Sequence, residues 1–183
     1  MEYYKYYGLD EPYEDETIDE EFDISGKEYV DLITTCFKYS SIVSFYITNT
    51  DFPYYDELQK FRTNAPANVE NCRGISSRNG KTEFFKVCPE IFDLMLKISD
   101  SMFKWIDGWD YTNPNDPVFH RKDGTTFMES LVDNCVVILH PRNDEKVDHI
   151  VSKRHWYKEN GKVSFFPGRR KTEEIGDGSV SSK

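Results

Sequence analysis

The chain has 183 residues, which is enough for one domain of ordinary size with a single hydrophobic core. Its formal net charge is −10 at pH 7, and 15% of its residues are aromatic. No apolar run approaches the ~20 residues of a membrane span, and residues 1–10 are aromatic and acidic, unlike a signal peptide. The composition therefore excludes a membrane-spanning protein and predicts a cytoplasmic one.

The negative charge is concentrated in residues 1–24. They hold ten acidic residues and one basic residue, Lys5, whereas the rest of the chain holds 23 acidic and 22 basic residues. We predict that they form a separate N-terminal arm, acidic and rich in tyrosine. Such a block repels nucleic acid and attracts basic proteins, and tyrosine is favoured at protein interfaces. The residues predicted to contact a basic protein partner are Tyr3, Tyr4, Tyr6, Tyr7, Asp10, Glu11, Tyr13, Glu14, Asp15, Glu16, Asp19, Glu20 and Glu21.

Two other interpretations of this arm stay open. It is solvated and partly ordered, or it folds back as a clasp onto the basic C-terminal stretch that begins at Lys153. That stretch also carries aromatic side chains suited to stacking on bases, but the acidic block competes with nucleic acid for it. We therefore expect no nucleic-acid partner.

The first half of the chain predicts a helix, a strand and a second helix in turn. Ser25 suits the N-cap of a helix over 27–39, in which apolar residues recur at helical spacing. Residues 41–48 are mostly β-branched or aromatic, and alternate side chains place apolar residues on one face, which predicts a strand with one buried face. A short helix over 52–62 follows. The loop over 63–81 is long and rich in Asn, Gly and Ser, so we expect it to be mobile or functional.

The strongest local signal lies between Cys88 and Trp109. A strand over 82–88 leads into a predicted helix over 89–106, which begins at Pro89 and has an acid in its first turn. Apolar residues recur along it at helical spacing, and Gly108 ends it. We expect this helix to be the scaffold of the core rather than a site.

The C-terminal half predicts a three-stranded antiparallel meander over 118–121, 125–132 and 135–140, because both connections have the chemistry of tight turns. A last helix over 145–154 and a terminal hairpin over 156–166 follow, and residues 167–183 are predicted to be disordered. The expected fold is a single α+β domain over 25–166, in which an antiparallel sheet containing this meander packs against about three helices.

The sequence offers few candidate catalytic or ligand-binding residues. No two of the four histidines have a metal-ligand spacing, and no catalytic, metal-binding or cofactor-binding residue is predicted. Cys88 precedes a helix, where the dipole lowers a thiol pKa, but a buried structural thiol is the stronger expectation. The best alternative site is a pocket between the meander and helix 89–106, which would suit a small enzyme or a ligand-binding protein. Its predicted lining is His120, Glu129, Cys135 and His140.

Several short motifs between Phe84 and Trp156 resemble an uncharacterised family of small bacterial cytosolic proteins, associated with the immunity partners of bacterial toxins. The matching residues are Cys88-Pro89-Glu90, Ser101, Phe103, Trp105-Ile106, Asp116-Pro117, Phe119, Arg121-Lys122-Asp123-Gly124 and Pro141-Arg142-Asn143-Asp144-Glu145. Such proteins often place His-Glu after the second meander strand, where this chain has Asp133-Asn134. Chemistry that depends on that pair is therefore not expected here.

The charge and the resemblance together favour a non-catalytic protein-binding function. The chain is expected to be an immunity or inhibitor protein whose acidic arm occupies the basic cleft of a partner such as a nuclease toxin. The alternative is the small enzyme or ligand-binding protein with the pocket described above. A structural component of a phage or spore is a third hypothesis.

Overall fold

The computed structural model describes residues 2–8, 23–66, 69, 80–105, 114–153 and 155–161. Within these ranges the fold is mixed α/β, with one antiparallel sheet of eight strands and four α-helices. The strands are β1 (Glu2–Tyr7), β2 (Ile42–Ile47), β3 (Arg62–Thr63), β4 (Lys81–Lys86), β5 (Asn115–His120), β6 (Thr126–Leu131), β7 (Val136–Leu139) and β8 (Trp156–Asn160). The helices are α1 (Gly26–Tyr39), α2 (Tyr55–Gln59), α3 (Pro89–Ile98) and α4 (Asp148–Val151), with 3-10 turns at Phe103–Trp105 and Val132–Asn134.

The sheet is larger than the predicted meander. Its strand order is β3-β4-β2-β5-β6-β7-β1-β8, and all neighbouring strands pair antiparallel. The meander of β5, β6 and β7 is confirmed. So are the helix over 27–39 and the strands over 41–48 and 82–88, which end within two residues of their predicted limits.

The structure of residues 2–7 differs from the predicted N-terminal arm. Residues 2–7 form β1 between β7 and β8, with Tyr4 opposite Leu139 and Lys5 opposite Tyr157. This part of the chain is therefore inside the sheet and is not a separate arm over residues 1–24. The acidic composition of residues 1–24 suggested an arm. The tyrosines among residues 2–7 favour a strand, because aromatic side chains pack well on a pleated surface.

The core lies between the sheet and the helices. Trp105 is fully buried at its centre, stacked on Phe45 with ring centroids 5.2 Å apart. The indole Nε1 of Trp105 donates a hydrogen bond of 2.9 Å to the hydroxyl of Tyr29 in α1. Tyr6 of β1 joins the same cluster. None of the described helices has the length and apolar character to cross a membrane.

The helix predicted over 89–106 is shorter in the structure. α3 ends at Ile98, and the Ser99 hydroxyl donates a hydrogen bond of 2.7 Å to the carbonyl of Ser101. Serine competes for backbone groups in this way and favours helix ends over helix interiors. Ser101 forms a β-bridge with Ser25, and the chain resumes as the turn Phe103–Trp105.

The two flanking helices are also shorter than predicted, since α2 covers only part of 52–62 and α4 only part of 145–154. Glu145 does not start a helix because its carboxylate accepts hydrogen bonds from Arg121 and from the backbone of Arg142. β8 confirms the first half of the predicted terminal hairpin. Its second half, the tail over 167–183 and most of the 63–81 loop lie outside the described residues.

A bulge interrupts the pairing of β5 and β6. Phe119 pairs with Met128, whereas His120 pairs with Thr126, so Phe127 is the extra residue. Phe127 and Met128 both join the core instead of pointing to opposite faces. An extra residue in one strand breaks the alternation in this way.

Candidate functional site

The sheet face opposite the helices carries a row of ionisable side chains. Successive residues of a strand point to opposite faces, and Tyr4 and Tyr6 face the helices, so Tyr3, Lys5 and Tyr7 lie on the other face. The strand pairing adds polar side chains of β2, β5, β6 and β8 to this row, while β7 contributes the apolar residues Val136 and Ile138. We call this side of the sheet the polar face and define it by its polar residues, several of which are buried: Tyr3, Lys5, Tyr7, Ser44, His120, Glu129, His140 and Glu159.

Two histidines of the polar face have defined partners. The His140 Nε2 atom lies 2.8 Å from a Glu129 carboxylate oxygen, and the His120 Nε2 atom lies 2.9 Å from the Ser44 hydroxyl. His120 is 1% exposed. Burial lowers the pKa of His120 to about 4, although the nearby charge of Glu129 acts in the opposite direction. His120 is therefore neutral at pH 7.

A lysine and a carboxylate lie further along the same face. Lys5 is 1% exposed, and its ammonium lies 4.5 Å from the centre of the Tyr7 ring. The Glu159 carboxylate accepts hydrogen bonds from the hydroxyls of Tyr3 and Tyr7, at 2.7 and 3.0 Å. Burial lowers the pKa of Lys5, and the charge of Glu159 partly offsets that effect. The sequence around Lys5 has no apolar–polar alternation that would predict its burial, and only the flanking tyrosines favour a strand.

The pocket predicted from four residues is not formed as predicted. His120, Glu129 and His140 share the polar face, which is opposite the face that packs on α3. Cys135 belongs to the core cluster instead, and its carbonyl accepts a hydrogen bond of 2.8 Å from the backbone of Gly8. Strand alternation separates it from the other three. Among the described residues, no group of three His, Cys, Asp or Glu side chains could hold a metal ion.

The predicted partner-binding residues divide into two sets. Tyr3 and Tyr6 are 2% and 3% exposed, so burial in the sheet removes them as surface anchors. Tyr4 and Tyr7 are half-buried in the same strand. The other nine residues lie outside the described ranges: Asp10, Glu11, Tyr13, Glu14, Asp15, Glu16, Asp19, Glu20 and Glu21.

The residues that flank this second set are described, and they meet at one place. Gly8 is in close contact with the ring of Phe103, and a carboxylate oxygen of Asp23 accepts a hydrogen bond of 3.1 Å from the Phe103 backbone. The Ile24 carbonyl accepts a further bond of 2.9 Å from Met102. The described residues on the two sides of 9–22, Gly8 and Asp23, therefore both lie beside Phe103.

Gly8→Ala is expected to destabilise the protein by about 1–3 kcal/mol, because an added methyl overpacks a filled site. A Cβ at position 8 would collide with the Phe103 ring and lie 2.9 Å from the Cβ of Cys135. Urea unfolding of the two proteins measures the loss. Phe103→Leu in the same chain should relieve part of the collision, so the double variant should lose less stability than the two single losses added. Strict additivity would contradict the contact.

Four residues of the short motifs between Phe84 and Trp156 form two ion pairs. Arg121 and Glu145 form an ion pair of 2.6 Å, and Arg142 pairs with Asp123 in the turn between β5 and β6. The two pairs join that turn to the loop after β7. These residues have structural roles that account for their spacing.

Cys88 is a poor nucleophile in this setting. Burial raises the pKa of the Cys88 thiol, and its contact with Glu90 acts in the same direction. These effects outweigh the helix N-terminus, which by itself would lower the pKa. The expectation of a structural thiol agrees with this geometry.

Comparisons with protein-family models, curated proteins and solved structures found no match for this chain.

Proposed function

We propose that the protein is a non-catalytic binding protein that recognises a basic protein partner, in the manner of an inhibitor or immunity protein. The observation that carries the proposal is the charge of the segment from 9 to 22. It holds eight acidic residues and no basic residue. The described residues on either side of it, Gly8 and Asp23, both lie beside Phe103.

Two exposed acidic residues of the described fold lie near the residues that flank this segment. Asp133 is in the 3-10 turn after β6, and the carbonyl of nearby Cys135 accepts a hydrogen bond from the Gly8 backbone. Asp100 precedes Ser101, which bridges to Ser25, and its carboxylate is paired with Lys104 at 3.0 Å. A concentrated negative charge such as that of the segment from 9 to 22 steers a basic partner and raises its association rate by about 10- to 1,000-fold.

The proposed mechanism differs in one respect from the one expected from sequence. Tyr3 and Tyr6 stabilise the sheet, so the tyrosine anchor that remains available to a partner in the acidic segment is Tyr13. Charge then contributes mainly to the rate of encounter and to partner choice. The resemblance to toxin-immunity proteins agrees with a basic toxin as the partner and is part of the proposal.

A ligand-binding or enzymatic function is the second candidate, supported by the polar face. His140 and Glu129 form a hydrogen-bonded pair with 9% and 25% of their side chains exposed, and Glu129 also acts on His120. Paired carboxylate and imidazole groups are suited to acid-base chemistry. The acidic segment carries the first proposal more directly, because eight carboxylates in one short stretch of sequence favour a basic partner.

The first proposal is tested by neutralising the acidic segment without changing its length. The variant carries D10N, E11Q, E14Q, D15N, E16Q, D19N, E20Q and E21Q. Partners are captured from lysate of the native cells with the parent and variant proteins, and the association rate of the recovered protein is then measured at low and high salt. We expect a basic partner whose association rate falls tenfold or more in the variant at low salt.

The matched control neutralises two exposed acids elsewhere, Asp144 before α4 and Asp148 within it. It should leave the association rate of the recovered partner almost unchanged. An equal rate for the parent and the neutralised segment, at every salt concentration, would contradict the proposed mechanism.

A further inference from the structure

A cleft between α2 and α3 is independent of both the acidic segment and the polar face. Its volume is about 310 Å³. The floor is apolar, made by Phe61 and Leu94, and Leu94 is 9% exposed. The charged side chains around it are Glu57, Lys60, Glu90, Asp93 and Lys97.

The rim of the cleft favours a cation. Its three carboxylates outnumber its two ammonium groups, and one of these, that of Lys97, lies 4.8 Å from the centre of the Tyr54 ring. Within the described residues, neither Glu57 nor Asp93 takes part in a salt bridge. Two exposed carboxylates therefore border an apolar floor with no basic partner of their own.

The third carboxylate is held in its charged form. Glu90 is in the first turn of α3, and hydrogen bonds from its own backbone N–H and from the Cys88 thiol keep its pKa below the usual range. The positive end of the helix acts in the same direction. The charged form of the Glu90 carboxylate is therefore stabilised at the rim.

We propose that this cleft binds an arginine side chain of the basic partner, an inference that rests on the function proposed above. The methylene stem of arginine covers apolar surface such as Phe61 and Leu94, while its head stays at the polar rim. The guanidinium offers five donors in a planar fork that matches carboxylates such as Glu57 and Asp93. Lysine presents a more strongly hydrated point charge and suits an apolar floor less well.

An anionic occupant is disfavoured by the same geometry. Lys60 and Lys97 both line the cleft, and the Lys97 ammonium keeps its charge while it contacts the Tyr54 ring. An anion would be repelled by three carboxylates and attracted by two ammonium groups. A cation meets the reverse balance, with one more attractive group than repulsive groups.

The test is an NMR titration of the full-length protein with N-acetyl-arginine methylamide, compared with the citrulline analogue. Citrulline has nearly the same shape and no charge. We expect resonances of Leu94 and Phe61 to shift with arginine, and citrulline to bind at least fivefold more weakly. Equal binding of the two probes, or arginine shifts confined to residues away from the cleft, would overturn the proposal.

Two variants test the rim in opposite directions. Asp93→Asn should weaken binding of the arginine probe by about two- to fivefold, the range typical of an exposed ion pair. Lys60→Gln is the matched control and should strengthen binding, because it removes a nearby like charge. Weaker binding by the Lys60 variant would contradict a cation site.

The variant with the neutralised acidic segment allows the arginine site to be tested separately from the proposed function. This variant should bind the arginine probe at the cleft as the parent protein does, even though it associates slowly with the partner. If the cleft fails to bind arginine while the acidic segment still controls partner association, the arginine site falls and the proposed function stands. If partner association is insensitive to the segment while the cleft binds arginine, the proposed function falls and the site stands.

Discussion

Replacing Glu145 with alanine is expected to destabilise the protein by about 3–5 kcal/mol, the cost of leaving a buried charge without its partner. The Arg121 guanidinium donates two hydrogen bonds to the Glu145 carboxylate, at 2.7 and 2.6 Å. The two side chains are only 6% and 7% exposed. Arg121 also donates to the carbonyls of His140 and Thr126, so it stays fixed in place when Glu145 is lost.

Urea unfolding at neutral pH measures this loss, and the same hairpin supplies the control. Asp123 and Arg142 also form an ion pair, but their side chains are 51% and 46% exposed. Solvent screens such a pair, so Asp123→Asn should change the unfolding free energy far less than Glu145→Ala. Similar losses for the two variants would show that burial of the Arg121 pair is not what stabilises this region.

His120 is expected to make the protein about 3 kcal/mol less stable at pH 4 than at pH 6.5. Its pKa is lowered from 6.5 to about 4 in the folded protein, chiefly by burial. Between these values the unfolded chain binds more protons at this residue than the folded chain does. Acidification therefore favours unfolding, and the contribution is fully present above pH 6.5 and lost as the pH falls towards 4.

Unfolding free energies of the parent and His120→Gln across this pH range test the prediction. Glutamine can keep a hydrogen bond to Ser44 but does not titrate, so the variant should show a shallower pH dependence. Parallel curves for the parent and His120→Gln would mean that His120 is protonated as easily in the folded state as in the unfolded state.

The ion pairs between the β5–β6 turn and the loop after β7 bear on where the function is sought. The motif residues Arg121, Asp123, Arg142 and Glu145 form two ion pairs that connect the β5–β6 turn to the loop after β7. Their spacing is explained by stability. They therefore carry no separate evidence for a binding function, which is proposed instead from the charge of the acidic segment and from the α2–α3 cleft.

The sequence by itself determined the elements whose signal is local. α1, β2, β4 and the meander follow from apolar periodicity, β-branched alternation and turn residues, which act over a few neighbours. The location of the negative charge is likewise a property of the sequence. Of the candidate site, three of the four predicted pocket residues do share one face of the sheet, because strand alternation placed them there.

Only the tertiary structure decided the features that depend on distant partners. β1 became a strand because β7 and β8 offered it two pairing edges, and this buried Lys5 and Tyr3. The end of α3 was set where Ser101 meets Ser25, and Cys135 was drawn into the core beside Phe103. Periodicity records what a residue prefers locally, whereas burial and pairing depend on what the rest of the chain brings next to it.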